Sequence, residues 1–156
     1  MKKNIPYLHF IERKYCPITN QVITSNSNWH VNDTSMLNRV GLMDDHIILT
    51  WTKGHCKLAH TQKYLEVINE IIDNLPSKKE KVILLEDYGE FDRVDWDARN
   101  CYINSLRSHT QIAGIVYYNV PRTFKINIKA GQFLYKTHKC INLLINTHSV
   151  SRRVCS

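Results

Sequence analysis

An alternation of short apolar runs with segments of helical spacing constrains the fold of this chain more than any other feature. The runs MLNRVGLM and HIILTWTK are rich in β-branched and apolar residues, and the acidic pair Asp44 and Asp45 separates them. Two such runs around a short polar turn are typical of a β-hairpin. The later runs KVILLE, QIAGIVYY and CINLLIN are also of strand length, and an unbroken apolar run suits a strand that is covered on both faces.

A helical pattern occupies the segment between HIILTWTK and KVILLE. The stretch LAHTQKYLEVINEIIDNLP places Leu65, Ile68, Ile72 and Leu75 three, four and three positions apart, and Pro76 marks its end. This spacing predicts an amphipathic helix.

Two further helices are predicted. Asp95 is a good N-cap, and Asp97 falls in the first turn, where the helix dipole favours a negative charge. The apolar face of this helix is formed by Ala98, Cys101, Tyr102 and Leu106. Pro121 then introduces a helix that extends from Arg122 to Lys136.

The predicted order is strand, strand, helix, strand, helix, strand, helix and strand. This order predicts an α/β fold with a mixed sheet, in which parallel strands follow an N-terminal β-hairpin and the helices pack on the sheet. We expect an N-terminal extension in residues 1–34, one domain in residues 35–146, and a tail or linker to a downstream domain in residues 147–156. A chain of 156 residues is long enough for a core of its own.

Composition and cysteine usage indicate a cytoplasmic protein. No apolar run reaches the roughly 18–20 residues that cross a membrane, and the start MKKNIPYLHFIERK lacks the apolar core of a secretory signal. The five cysteines are widely spaced and odd in number, which favours reduced thiols. Cys56 and His60 stand four residues apart, but no second pair has zinc-like spacing. We therefore predict no disulfide, no bound metal and no cofactor.

The carboxyl-terminal third is wholly basic. The net charge is +7, and residues 98–156 contain nine lysines and arginines without one aspartate or glutamate. Such a surface attracts acidic partners, whether protein, nucleic acid or membrane headgroups. On the helix predicted for residues 122–136, a candidate basic interaction face consists of Arg122, Lys125, Lys129 and Lys136. A solvated helix face explains the same stripe, and no nucleic-acid-binding motif accompanies it.

Six of the fourteen acidic residues lie in the stretch LLEDYGEFDRVDWDARN. We interpret this stretch as a strand end, an acidic loop and a helix cap, and the candidate ligand or partner residues of the loop are Asp87, Glu90, Asp92 and Asp95. Paired-carboxylate catalysis needs one desolvated acid, whereas six acids on a polar loop are expected to be solvated. No nucleophile, base or phosphate loop is identifiable beside them, so no catalytic residue is assigned. A carboxylate- or metal-dependent enzyme is the less favoured alternative.

Four segments together resemble a known family. The strand VILLEDYGEF, the helix start DWDARN, the strand IAGIVYYNVP and the helix RTFKINIKAGQFL are similar to the STAS domain in its SpoIIAA-like variant, the fold of anti-sigma-factor antagonists. The resemblance covers Met36 to Asn146. The preceding segment YCPITNQVITSNSNW resembles the N-terminal region of bacterial multidomain sensor histidine kinases.

The resemblance implies a noncatalytic regulatory or sensory module, the N-terminal input domain of a two-component sensor histidine kinase. The implied partners are a downstream or partner signalling domain, a second copy in a homodimer, or a small apolar ligand. In STAS domains a serine ten residues after a strand-end aspartate is phosphorylated, and counting from Asp87 leads to Asp97. Asp97 carries a fixed charge, so the phosphorylation switch is expected to be absent. Nucleic-acid binding through the basic third is the alternative function, which we disfavour.

Overall fold

The computed structural model describes residues 20–77, 80–122 and 124, and these residues form a six-stranded mixed sheet with two α-helices. The strands are β1 (Ile23–Thr24), β2 (Val31–Asn32), β3 (Met36–Met43), β4 (Ile47–Cys56), β5 (Val82–Val94) and β6 (Ile112–Tyr118). The helices are α1 (Leu58–Asp73) and α2 (Trp96–Ser108). The strands follow one another in the sheet in the order β1, β3, β4, β5 and β6, and β2 also pairs with β3. The predicted α/β fold is confirmed.

The predicted hairpin is formed by β3 and β4. These strands pair antiparallel, and Met43 lies opposite Ile47 next to the turn. Asp44 and Asp45 both have a φ of 54°. This left-handed conformation is one that aspartate tolerates better than most residues, which explains the acidic pair at the turn.

The outer edge of β3 is covered by two short strands from the segment that the sequence predicted to be an extension. β1 pairs with the end of β3 and β2 with its start, both antiparallel. Between these two short strands, two side chains form hydrogen bonds with the backbone of Val40. Ser25 Oγ donates to the carbonyl oxygen of Val40 at 2.7 Å, and the N–H of Val40 donates to His30 Nδ1 at 3.3 Å. The sheet therefore begins before residue 35.

Both helices lie on one face of the sheet and contact each other. α1 connects β4 to β5 and α2 connects β5 to β6, and these three strands are parallel. The residues that define the predicted helical spacing, Leu65, Ile68, Ile72 and Leu75, are all buried. The strands contribute Val40, Ile48, Leu84 and Ile115 to the core between the sheet and the helices. The packing of α1 on the sheet follows from the spacing seen in the sequence.

β5 is longer than the sequence predicted, and the predicted acidic loop is wrong. The apolar run ended at Glu86, whereas β5 continues to Val94. The continuation pairs parallel with β4, with two register shifts. It is held there because the ring of Phe91 packs with Met36 and Cys56 in a small core cluster. Residues 87–94 are therefore strand rather than loop.

Several predictions fall outside the described residues. The helix predicted for residues 122–136 is described only at Arg122 and Phe124, and the segment CINLLIN is not described. Cys56 and Cys101, the cysteines that fall in the described ranges, are free thiols. In those ranges no helix combines the length and the apolar character that a membrane crossing requires.

Leu84→Ala and Ile83→Ala test the alternation of faces along β5. Leu84 is fully buried between the sheet and the helices, whereas Ile83 is 41% exposed. Because a cavity forms in the core, we expect Leu84→Ala to lower the free energy of unfolding by about 2–5 kcal/mol. The matched control Ile83→Ala should cost roughly 1 kcal/mol or less. Urea unfolding followed by circular dichroism measures both, and equal losses would contradict the assigned faces.

Candidate functional site

Glu86 and Asp87, the acids at the end of the predicted strand, lie on opposite faces of the sheet. Both are 1% exposed. Successive side chains of a strand alternate between faces, and Glu86 points to the helices, whose tyrosines contact it. Asp87 Oδ1 accepts the N–H of Gly89 at 2.9 Å and the amide of Asn119 at 3.0 Å. The two carboxylates do not form a catalytic pair, and the expectation that they are solvated is wrong.

Three tyrosine hydroxyls converge on the carboxylate of Glu86. Tyr64 of α1 donates to Oε1 at 2.8 Å, and Tyr102 of α2 donates to the same oxygen at 2.7 Å. Tyr88 of β5 donates to Oε2 at 2.8 Å. Thr50 Oγ1 of β4 lies 3.0 Å from the Tyr64 hydroxyl. We call these five residues the Glu86 network, because one carboxylate connects two neighbouring strands to both helices.

Hydroxyl dipoles stabilise the charge of Glu86. Burial raises the pKa of Glu86, and the hydrogen bonds from Tyr102, Tyr88 and Tyr64 act in the opposite direction. Burial, followed by the nearby carboxylate charge, raises the pKa of all three tyrosines well above their ordinary value of 10. The tyrosines therefore remain protonated donors, and an ionised carboxylate has enough lone pairs to accept all three bonds.

An aromatic cluster adjoins the Glu86 network and fixes the ring of Tyr88. The centroid of this ring lies 4.8 Å from that of Phe91, 5.3 Å from that of Tyr117 and 6.4 Å from that of Phe124. The rings of Phe91 and Phe124 are 5.1 Å apart. Aromatic pairs at these separations gain about 0.5–1.5 kcal/mol beyond the burial of their area. The cluster thus directs the Tyr88 hydroxyl to Glu86.

His60 ties the start of α1 to Asp33. Its Nδ1 accepts the backbone N–H of Lys57 at 3.1 Å, so Nε2 carries the hydrogen and donates to Asp33 Oδ2 at 2.5 Å. Asp33 Oδ1 accepts the N–H groups of Ser35 and Met36. The bond from the Ser35 backbone, followed by the one from His60, holds the pKa of Asp33 well below its usual range. Both ring nitrogens of His60 are used in this structural role.

A second histidine–aspartate pair joins β4 to the start of α2. His55 Nε2 lies 2.7 Å from Asp95 Oδ1. Asp95 is the N-cap residue of α2, as predicted, but its side chain bonds His55 instead of a helix N–H.

Cys56, the residue after His55, is a buried thiol. Its Sγ lies 3.3 Å from Thr61 Oγ1, and burial raises the pKa of the thiol. A buried neutral thiol is a poor nucleophile and a poor metal ligand.

The remaining acids of the stretch are separated from one another. Glu90 lies 3.6 Å from Lys53 Nζ across the β4–β5 pair, and Asp92 is exposed. Asp97 is exposed in the first turn of α2, as predicted, and its Oδ1 accepts the N–H of Ala98 at 2.8 Å. Within residues 20–77, 80–122 and 124, no three histidines, cysteines, aspartates or glutamates converge to hold a metal ion.

Trp96 is an apolar side chain that stays in water at the first position of α2. Its exposure is 68%, the highest among the large apolar residues that the structure describes. The guanidinium carbon of Arg99 lies 5.7 Å from the centre of its ring, which is within the range of a cation–π contact. Tryptophan and arginine are enriched at the energetic centres of protein interfaces. We call Trp96, Asp97 and Arg99 the α2 start surface.

The predicted basic interaction face is described at one residue. Arg122 is exposed. Lys125, Lys129 and Lys136 lie outside the described residues. The stripe on this helix stays a prediction.

The sequence reasoning missed the tyrosines of the Glu86 network. Signals for each were present, since Tyr64 lies four residues before Ile68 on the core side of α1, and Tyr102 belongs to the predicted apolar face of α2. Tyr88 follows Glu86 at a spacing of two on β5. Their convergence depends on the face of the sheet to which the Glu86 side chain points, and a shift of the strand register by one residue would move that side chain to the opposite face.

Comparison with known proteins adds no relative. No protein-family model, curated protein or solved structure matches the chain. The resemblance to STAS domains stays a prediction from the segments quoted for it.

Tyr102→Phe tests the Glu86 network. The substitution removes one hydroxyl that donates to the buried carboxyl and retains the ring, so the free energy of unfolding should fall by about 1–3 kcal/mol. In the Glu86→Gln background the same substitution should cost less, because the carboxyl that accepts this hydrogen bond is absent. Urea unfolding of the four proteins in this cycle gives the coupling energy between the two side chains. A coupling of zero would contradict the network.

The hydrogen bonds that Asp33 accepts, from the Ser35 backbone first and then from His60, give the stability of the protein a pH dependence. The pKa of Asp33 in the folded protein lies below its ordinary value of 3.8, so the unfolded chain takes up the proton first as the pH falls. The stabilisation is present above pH 3.8 and is lost as the pH falls below it. Asp33→Asn should therefore be destabilised at neutral pH, and its difference from the wild type should shrink in acid. Urea unfolding at a series of pH values measures this difference, and Asp73→Asn, at an exposed position, is the matched control. If the stability of Asp33→Asn and that of the wild type depended on pH in the same way, the low pKa of Asp33 would be refuted.

Proposed function

We propose that this domain is a noncatalytic regulatory or sensory module of bacterial signal transduction that binds another protein domain through the α2 start surface. The context that the STAS resemblance favours is the N-terminal input domain of a sensor histidine kinase. The observation that carries the proposal is the exposed ring of Trp96, which lies against Arg99 and beside Asp97.

The exposure of Trp96 supports a role in binding. Aromatic side chains dominate interface energetics because each one buries roughly 150–250 Å². The exposure of Trp96 is 68%, although Ala98 in the same turn of α2 is fully buried. Most of the apolar area of this ring is therefore left for a partner. Arg99 adds a planar charged group to the same surface.

The STAS resemblance supports the same surface, because the phosphorylated serine of that family corresponds to Asp97. Asp97 is exposed in the first turn of α2. Its single fixed charge suits a contact that is made continuously, whereas a phosphate would add about −1.5 to −2 and be removed again. The proposed interaction is therefore independent of phosphorylation at this position.

The chemical groups of the described residues favour binding over catalysis. Glu86 accepts three hydroxyls, His60 uses both of its ring nitrogens, and the Cys56 thiol is buried beside a threonine hydroxyl. Each of these groups holds the fold together rather than standing beside a nucleophile or base. The free thiols of Cys56 and Cys101 suit a cytoplasmic location, which is part of the proposal.

Photo-crosslinking from Trp96 tests the proposed function. A photoreactive phenylalanine analogue is placed at position 96 and, as a matched control, at Glu66, whose side chain in α1 is 70% exposed. We expect position 96 to crosslink one protein domain in cells and position 66 not to do so. The identified protein is then purified and titrated by calorimetry with the wild type and with Trp96→Ala. The affinity for Trp96→Ala should be lower by about 30-fold or more, the usual effect at the centre of an interface.

Two controls make this result decisive. Glu66→Ala should bind the identified protein as tightly as the wild type does, and thermal unfolding should show that Trp96→Ala is folded. Equal affinities of the wild type and Trp96→Ala, or no crosslink specific to position 96, would exclude the α2 start surface as the site of action.

A further inference from the structure

The α2 start surface carries its two opposite charges on opposite sides of one exposed ring. Successive residues of an α-helix are about 100° apart around the helix axis, so Asp97 lies about 100° from Trp96 in one direction. Arg99 lies about 60° from Trp96 in the other direction, and its guanidinium carbon is 5.7 Å from the centre of the ring. The ring of Trp96 therefore has an acid on one side and a base on the other.

Both charged groups are able to bind a further group at this surface. Asp97 is exposed, and its Oδ1 accepts the N–H of Ala98. An ionised carboxylate has lone pairs for several hydrogen bonds, so Asp97 is also able to accept from a guanidinium. Arg99 is partly exposed, and a guanidinium that lies over an aromatic ring still presents N–H groups along its edge to a carboxylate.

Rotation by half a turn converts this surface into its own complement. A partner that fits the surface needs an apolar group for the Trp96 ring, a base opposite Asp97 and an acid opposite Arg99. A wholly acidic or wholly basic partner would repel one of the two charges. The same surface, rotated about an axis through the ring, presents its base to Asp97 and its acid to Arg99. This reciprocity is the rule of two-fold dimers, in which residue i contacts residue j and residue j contacts residue i.

Resting on the function proposed for the α2 start surface, we propose that its partner is a second copy of this chain. The two copies pack around a two-fold axis beside Trp96, so that the ring of each copy covers the ring of the other. Asp97 of each copy binds Arg99 of the other copy. The interface therefore contains two equivalent ion pairs around one aromatic contact.

The small size of the surface determines the strength of the dimer. Interfaces that bury less than about 1,200 Å² in total are characteristic of weak and transient complexes. Three side chains from each copy bury less area than that, because even a tryptophan contributes only roughly 150–250 Å². We expect a monomer in dilute solution and a growing fraction of dimer as the protein concentration approaches about 1 mM.

Reversal of the two charges tests the second copy as the partner. Sedimentation equilibrium of the whole chain measures the dissociation constant of the dimer. Asp97→Arg leaves two bases beside the ring and Arg99→Asp leaves two acids, so each variant alone should dimerise at least about 10-fold more weakly than the wild type. In an equal mixture of the two variants each acid faces a base again, and a mixed dimer should form with an affinity close to that of the wild type.

Matched variants separate this result from an effect on folding. Asp97→Asn removes the charge but keeps the oxygen that accepts the N–H of Ala98, so it should weaken the dimer while α2 still begins normally. Trp96→Ala should be monomeric, because the centre of the interface is lost. Glu66→Arg reverses a charge on a side chain of α1 that is 70% exposed, and its dissociation constant should equal that of the wild type. Thermal unfolding shows that each variant is folded.

Three results would overturn the second copy as the partner. These are a wild type that stays monomeric up to about 1 mM, a dimer that both charge reversals leave unchanged, and charge-reversed variants that form no dimer when mixed. The proposed function is tested separately by the photoreactive group at position 96. If that group crosslinks a protein other than this chain while the wild type is monomeric, the α2 start surface remains the site of action. If it gives no specific crosslink, both proposals are excluded.

Discussion

A buried carboxylate that accepts three tyrosine hydroxyls fixes the position of both helices on this sheet. Taking a carboxylate out of water costs several kcal/mol, and hydrogen bonds offset this cost only if their geometry is good. Apolar packing tolerates small shifts of one layer over the other, whereas bonds of 2.7 and 2.8 Å from Tyr102 and Tyr64 do not. We interpret the network as the interaction that specifies where α1 and α2 cross the sheet, in addition to the core that binds them there.

The alternation of side chains along β5 determines what its acidic residues are able to do. Neighbouring carboxylates in a sequence suggest joint chemistry, but a strand sends Glu86 to one face and Asp87 to the other. Farther along, Glu90 faces Lys53 and Asp95 bonds a histidine. The acids are thus distributed among separate structural tasks, and the surface left at the start of α2 consists of an exposed aromatic ring and charged groups.

The sequence alone predicts the strands and helices whose signal lies within the element itself. The hairpin follows from two apolar runs around Asp44 and Asp45, and α1 follows from its apolar spacing. β1 and β2 were not predicted because strands of two residues carry no periodic signal. The second half of β5 was missed because a long partner in β4, together with the packing of Phe91, keeps a polar segment extended. The Glu86 network was missed because it depends on contacts between distant elements.

The split edge of β3 has a consequence for the behaviour of the protein among other chains. A sheet edge with unpaired N–H and C=O groups is a template for pairing with another molecule, and proteins need ways to block it. Here β1 and β2 leave a gap, and the side chains of Ser25 and His30 bond the backbone of Val40 inside that gap. An incoming strand would have to displace two side chains and two short strands at once, so this edge resists the first step of β-aggregation.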